Sequence, residues 1–212
     1  AGGAQTAAAA ELASAAAGVV AAKDATARCT AFELRQRPFA DDKVVLDEER
    51  LRERVEYYRR QGKRIVFTNG VFDILHRGHV SYLNRAKMLG DVLVVGVNSD
   101  AGVRRLKGAT RPVNPLEDRV QVLAGLSGVD LIVPFEEDTP VDIIRIVRPH
   151  IFAKGGDYDV ESLPEAPVVR ELGGAVTTLP LVPDRSTTHI IARIKDGTAP
   201  GEGLTRTAGS VQ

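Results

Sequence analysis

Five short runs rich in Val and Ile, each followed by a stretch with helical spacing, constrain this chain more than any other feature. The runs fall at 64–68, 92–97, 131–133, 151–153 and 175–179. They are nearly continuous in apolar character, which is the pattern of strands buried on both faces. Helical patterns lie between them at 80–89, 116–126, 141–147 and 164–172, with a last one from about 187 to 194. Strand and helix in strict turn predict right-handed βαβ units around a parallel sheet, with helices on both faces. Ligands on such α/β sheets bind beyond the carboxyl ends of the strands, near the topological switch point. The residues just after each strand are therefore where chemistry is expected.

The rest of the chain is organised around that block. Residues 1–40 are Ala-rich and hold few large apolar side chains, so they are not expected to build a core alone. Residues 41–62 are charged and carry Leu51, Val55 and Tyr58 at spacings of four and three. That spacing predicts an amphipathic helix docked by one narrow face and stopped at Gly62. It is grouped with the main block as one unit, 41–195. Residues 196–212, rich in Gly, Pro, Ser and Thr, are expected to be disordered. Lys plus Arg and Asp plus Glu number 28 each, which argues against a broad nucleic-acid or anionic-membrane surface. A single cysteine, Cys29, excludes an intrachain disulfide and fits a reducing cytoplasm. No apolar run approaches the roughly 18 residues of a membrane span, and the first residues lack a signal-peptide pattern. Because it starts at Ala1 rather than Met, the chain is expected to be a piece of a longer one.

The first strand is followed by Thr68-Asn69-Gly70-Val71-Phe72-Asp73-Ile74-Leu75-His76-Arg77-Gly78-His79. Gly70 and Gly78 allow tight turns and close approach of backbone to a ligand. His79 stands where a helix is expected to begin, and a helix start suits phosphate. Two imidazoles three residues apart can both aim donors at one phosphate group. Plain loop histidines would be the alternative, but the chain has only 4 His and two of them flank one Gly directly after a buried strand. A zinc site lacks further convincing ligands, so no residue is assigned to a metal.

Here the chain resembles the nucleotidyltransferase superfamily marked by His-x-Gly-His, which includes cytidylyltransferases and adenylyltransferases. The stretch from Phe67 to His79 is most similar to adenylyltransferases that act on heptose 1-phosphate, and the resemblance runs from about Leu46 to Lys195. Many members have Cys where this chain has Val71. The resemblance implies a Rossmann-like five-stranded sheet of order 3-2-1-4-5. The His76 and Lys154 loops would then face one another across a crevice. It also implies transfer of AMP from ATP to D-glycero-β-D-manno-heptose 1-phosphate, with Mg²⁺ on the triphosphate. The usual destination of the product is lipopolysaccharide core assembly.

Further phosphate-handling stretches follow the other strands. Asn98 and Asp100 come after the second, and Lys107 beside Gly108 is a mobile cation able to reach a phosphate. In the superfamily an Arg at the place of Arg119 contacts nucleotide phosphates; a helix-surface charge is the plain alternative. After the fourth strand come Lys154, Gly155, Gly156 and Asp157, where Asp157 could accept from a sugar hydroxyl or the base. Ser186, Thr187 and Thr188 form a helix N-cap, and the matching run in the family binds ATP phosphates. Thr68, Asn69, Gly70, Phe72, Asp73 and Gly78 complete the expected nucleotide-binding set, with His76, His79 and Lys107 catalytic. His150 is expected to be structural, and His189 is left without a role.

The stretch 7–34 resembles the end of a ribokinase-like sugar kinase, as though the chain were the transferase part of a bifunctional protein. The kinase catalytic residues are not in this chain, so no kinase activity is expected. The expected partners are small molecules, with no nucleic acid or membrane, and a homodimer is compatible. Two other readings stay open: a cytidylyltransferase for glycerol 3-phosphate, and a nucleotide-binding domain without catalysis.

Overall fold

The computed structural model describes residues 43–156, 159–180 and 186–197. The Ala-rich segment with its kinase-like stretch, Asp157, and the tail from 198 lie outside the described residues. In chain order the elements are α1 (Glu48–Arg60), β1 (Ile65–Gly70), α2 (Arg77–Lys87), β2 (Val92–Asn98), α3 (Asp100–Lys107) and α4 (Leu116–Ala124). They continue as β3 (Leu131–Phe135), α5 (Val141–Val147), β4 (Ile151–Gly155), α6 (Ala166–Glu171), β5 (Ala175–Leu179) and α7 (Thr187–Asp196), with a 3₁₀ turn at Val160–Ser162. None of the described helices is long and apolar enough to cross a membrane.

The five strands form one sheet, β3-β2-β1-β4-β5, and every pairing is parallel. Alternation along each strand divides the core into two layers. Ile65, Phe67, Val92, Val94 and Phe152 face one side, where Leu51 and Val55 of α1, Ile144 of α5 and Val169 of α6 cover them. Val66, Leu93, Val95, Val97 and Ala153 face the other, under Tyr82, Leu83 and Ala86 of α2 and Val120 and Leu123 of α4. Helix α1 forms as its sequence predicts. Asp47 caps it by accepting from the Arg50 N–H at 2.7 Å, acidic residues fill its first turn and basic ones its last.

Three details differ from the sequence reading. β1 runs on through the polar Thr68-Asn69-Gly70, because parallel pairing carries it in register with β2 as far as Gly70 opposite Val97. β5 is an edge strand and only half-buried, although its Val and Thr content resembles that of the inner strands. Residues 100–107 form a helix: Ser99 caps it by accepting from Gly102 N–H at 3.0 Å. Only Gly102 and Val103 of α3 are buried, which leaves too little apolar periodicity to signal a helix.

Candidate active site

The order of the sheet places the switch point between β1 and β4. A cleft of about 570 Å³ opens there, and Asn69, Gly70, Phe72, His79, Lys107 and Lys154 are among its lining residues. Phe72 has φ +50°, in the left-handed region that non-glycine residues rarely adopt. Its ring folds back over Gly70, where a Cβ would lie 3.0 Å from Phe72 Cε2, and meets His79 edge-on at 5.5 Å. Gly70 thus leaves room for the Phe72 ring that packs against the histidine.

Asp73 is buried and works as a strap. Its carboxylate accepts from Arg111 Nε at 2.7 Å and from the Val113 and Asn114 N–H groups at 2.9 Å. Asn114 Nδ2 donates to its carbonyl at 2.7 Å. Burial by itself would raise the carboxyl pKa, but the donors from Asn114, Val113 and Arg111 outweigh it and hold the group below its ordinary value. Asp73 therefore pins the stiff 111–115 turn to the β1 loop, and its oxygens are already occupied by protein donors.

The histidines sit at the start of α2, which begins at Arg77 rather than at 80. His76 is the N-cap, and its Nδ1 accepts from Gly78 N–H at 3.1 Å. The two rings stack with centroids 3.9 Å apart, and His79 lines the cleft. His79 Nδ1 is buried with no partner among the described residues. Burial, with a smaller push from His76, lowers the His79 pKa to about 4, against a weaker opposing pull from the Ile74 carbonyl. One turn on, Tyr82 bridges Thr68 Oγ1 at 2.6 Å and donates to the Ala153 carbonyl at 2.9 Å. Burial pushes its phenol up to about 12. Thr68 is thus fully buried in a link between β1 and β4 rather than exposed in the cleft.

Arg119 is neither a surface charge nor a free donor. Its side chain is 0% exposed. Nε donates to the Asn114 carbonyl at 3.1 Å and Nη1 to the Val71 carbonyl at 2.6 Å. Nη2 donates to the Asn98 carbonyl at 2.8 Å and to Asp100 Oδ1 at 2.7 Å. A guanidinium has five N–H groups, and most are spent joining the loops after β1 and β2. Arg119 is not among the residues that line the cleft between β1 and β4, and Asp100 is drawn into the same link. Lys107 at the end of α3 lines the cleft, and its side chain makes no hydrogen bond or ion pair to another described residue.

The β4 side completes the cleft. Register pairs Phe67 with Phe152, so Asn69 stands level with Lys154. Lys154 Nζ donates to Asn69 Oδ1 at 3.0 Å and to Glu165 Oε1 at 3.1 Å. Gly155 lines the cleft, and Gly156 follows with φ +126°. At α7, Ser186 Oγ accepts from His189 N–H at 3.2 Å, and Thr187 Oγ1 donates to the Ile74 carbonyl at 3.3 Å. Thr187 and Thr188 both line the cleft. His150 is structural: its Nδ1 accepts from Ile65 N–H at 3.0 Å.

Tyr82 and Glu165 also belong to the site, although no motif in the sequence marks them. Tyr82 lies three residues from His79 on the same helix face, a spacing that could have flagged it. Glu165 follows a Pro in a stretch read as ordinary helix and gave no signal.

The model of the cytidylyltransferase-like family matches residues 67–193. The bifunctional protein HldE of Pseudomonas aeruginosa (strain LESB58) is 50% identical over 187 residues, 87% of this chain and 40% of that protein. HldE of Pectobacterium atrosepticum is 51% identical over 191 residues, 89% of this chain and 40% of that protein. The chain thus spans about 40% of the length of these curated relatives. Among solved structures, the lipopolysaccharide core biosynthesis protein of Thermoplasma volcanium is 32% identical, covers 57% of this chain and 98% of that one, and gives a TM-score of 0.47. The family match spans the sheet from β1 through β5 and both ends of the cleft, from the histidine pair to Thr187 and Thr188: the chain belongs to the cytidylyltransferase-like family of nucleotidyltransferases.

Proposed function

We propose that the chain transfers AMP from ATP to D-glycero-β-D-manno-heptose 1-phosphate, giving ADP-heptose and pyrophosphate. The observation that carries the reaction type is His79, stacked on His76 and lining the cleft between β1 and β4. The heptose assignment rests on the similarity of Phe67 to His79 and on the HldE relatives.

A phosphate oxygen of the sugar phosphate attacks the α-phosphorus. The bond to the bridging oxygen breaks and pyrophosphate leaves. The second pKa of a phosphate monoester is about 6, so the nucleophile is already ionised and no strong base is needed. What the protein must supply is alignment of two anions and relief of their repulsion. With its pKa lowered to about 4, His79 is neutral near pH 7, and an arriving triphosphate raises that pKa and favours the doubly donating form. Lys107 adds positive charge, and the Thr188 hydroxyl and the backbone N–H groups at the start of α7 add donors for phosphate oxygens. A Mg²⁺ ion would arrive with the ATP substrate and would offset charge on the triphosphate.

The relatives are named bifunctional, and their match over 187 residues is longer than the stretch 43–212, so it reaches into the N-terminal segment. This supports reading residues 1–40 as the end of a kinase domain. The family description speaks of cytidylyl transfer and names no acceptor, so one rival is CTP with glycerol 3-phosphate. Pyrophosphate release from ATP or CTP with each acceptor decides between them. Release from ATP and heptose 1-phosphate alone is expected. Release from CTP and glycerol 3-phosphate would overturn the substrate, and release from no pair would favour a binding domain without catalysis.

A further inference from the structure

Glu165 is an anomaly in the cleft wall. Its side chain is only 4% exposed, yet it lines the cleft. One oxygen, Oε1, takes Lys154 Nζ at 3.1 Å; the other, Oε2, is buried with no partner among the described residues. A buried carboxylate oxygen left unpaired costs free energy unless something fills it. With Lys154 Nζ on Oε1, Oε2 is the acceptor left without a donor.

The chemistry of that donor follows from the neighbours. A phosphate offers acceptors only and would be repelled by the carboxylate. An ammonium or guanidinium group would duplicate Lys154. Sugar hydroxyls are neutral donors that a carboxylate can take without a further charge. Leu163 and Pro164 beside Glu165 supply apolar wall for ring carbons, and Asn69 across the cleft supplies another polar contact.

We propose that Glu165 is a specificity residue: substrate entering the cleft turns the carboxylate about its Lys154 contact so that Oε2, buried in the ligand-free structure, accepts a hydrogen bond from a sugar hydroxyl. This rests on the reading above, under which two ligands carry such hydroxyls: the ribose of the nucleotide and the sugar of the acceptor. Lys154 is on this account a positioning residue rather than a phosphate clamp, because its charge is matched by Glu165.

The test is calorimetric binding to wild type, Glu165→Gln and Glu165→Ala. One arm compares ATP with 2′,3′-dideoxy-ATP. The other, run with a non-hydrolysable ATP analogue present, compares heptose 1-phosphate with methyl phosphate. In wild type, loss of the hydroxyls should weaken binding about 10- to 100-fold in one arm, the range for a hydrogen bond to a charged group. That arm names the sugar, and both variants should erase most of its penalty while leaving the hydroxyl-free ligand within about twofold. Should both arms show no penalty in wild type, the proposal fails without any variant. It fails equally if the penalties survive in the variants, or if all four ligands bind more tightly because Lys154 is freed. Turnover is scored separately, so a wild type that ignores heptose 1-phosphate in the pyrophosphate assay would sink the substrate assignment while the ATP arm still judges Glu165.

Discussion

Arg119 and Lys107 come from neighbouring helices beside the same cleft, and both are cations of the kind that hold phosphates, yet the fold uses them oppositely. Arg119 is enclosed and gives its N–H groups to Asn114, Val71, Asn98 and Asp100. Lys107 ends α3 with its side chain unpaired among the described residues. The contrast extends to the regions around them. The wall formed by Asp73, the 111–115 turn and Arg119 is a closed hydrogen-bond network. The wall formed by Lys107 and Thr188 lines the cleft with no side-chain hydrogen bond to the described residues, although Thr187 beside them spends its hydroxyl proton on the Ile74 carbonyl. A ligand can only be held by donors the fold has not consumed, so the first wall sets the shape of the site and the second is open to do the binding.

The strongest way to break this comparison is Arg119→Ala. It leaves buried acceptors and Asp100 without their partner and should lower stability by about 3–5 kcal/mol in urea denaturation. A loss under about 1 kcal/mol would mean that Arg119 is free to serve ligand after all. Next is His79→Ala, which should cut the turnover rate about 10²- to 10³-fold, as for the loss of one transition-state donor. Equal losses of activity and melting temperature would instead make His79 part of the frame.

The third prediction concerns acid. The folded His79 titrates near 4, below its ordinary 6.5, so the unfolded chain takes up the proton first. The stability present above pH 6.5 is therefore lost as pH falls towards 4, by up to about 3 kcal/mol. His79→Asn should flatten that decline in melts across this range, and an unchanged decline would assign it elsewhere. The smallest effect on the fold is expected from Lys107→Ala: stability within about 0.5 kcal/mol, since a surface substitution breaks nothing. Its kcat/KM should still fall about tenfold. Unaltered kinetics would place Lys107 outside the reaction.

Much of this is legible in the amino-acid sequence. All five strands, most of the helices and the amphipathic α1 follow from apolar periodicity, because burial between two helical layers demands that composition. α3 was not legible, since a helix lying on the rim with one apolar contact leaves no pattern to read. Nor did the composition of β5 announce an edge, because edge position depends on which strand lies beside it.

At the site, residue types were easier to read than their duties. The chain itself determined that two histidines, a lysine and a hydroxyl-rich helix cap would stand at strand ends, because βαβ connectivity puts those positions on one rim of the sheet. Only the tertiary structure decided which donors and acceptors were still open. Arg119 and Asp73 lost theirs to partners 48 and 40 residues away along the chain, while Glu165 kept an oxygen open beside Lys154. The spacing of residues states where a side chain starts, but its remaining valence depends on neighbours brought together by the fold.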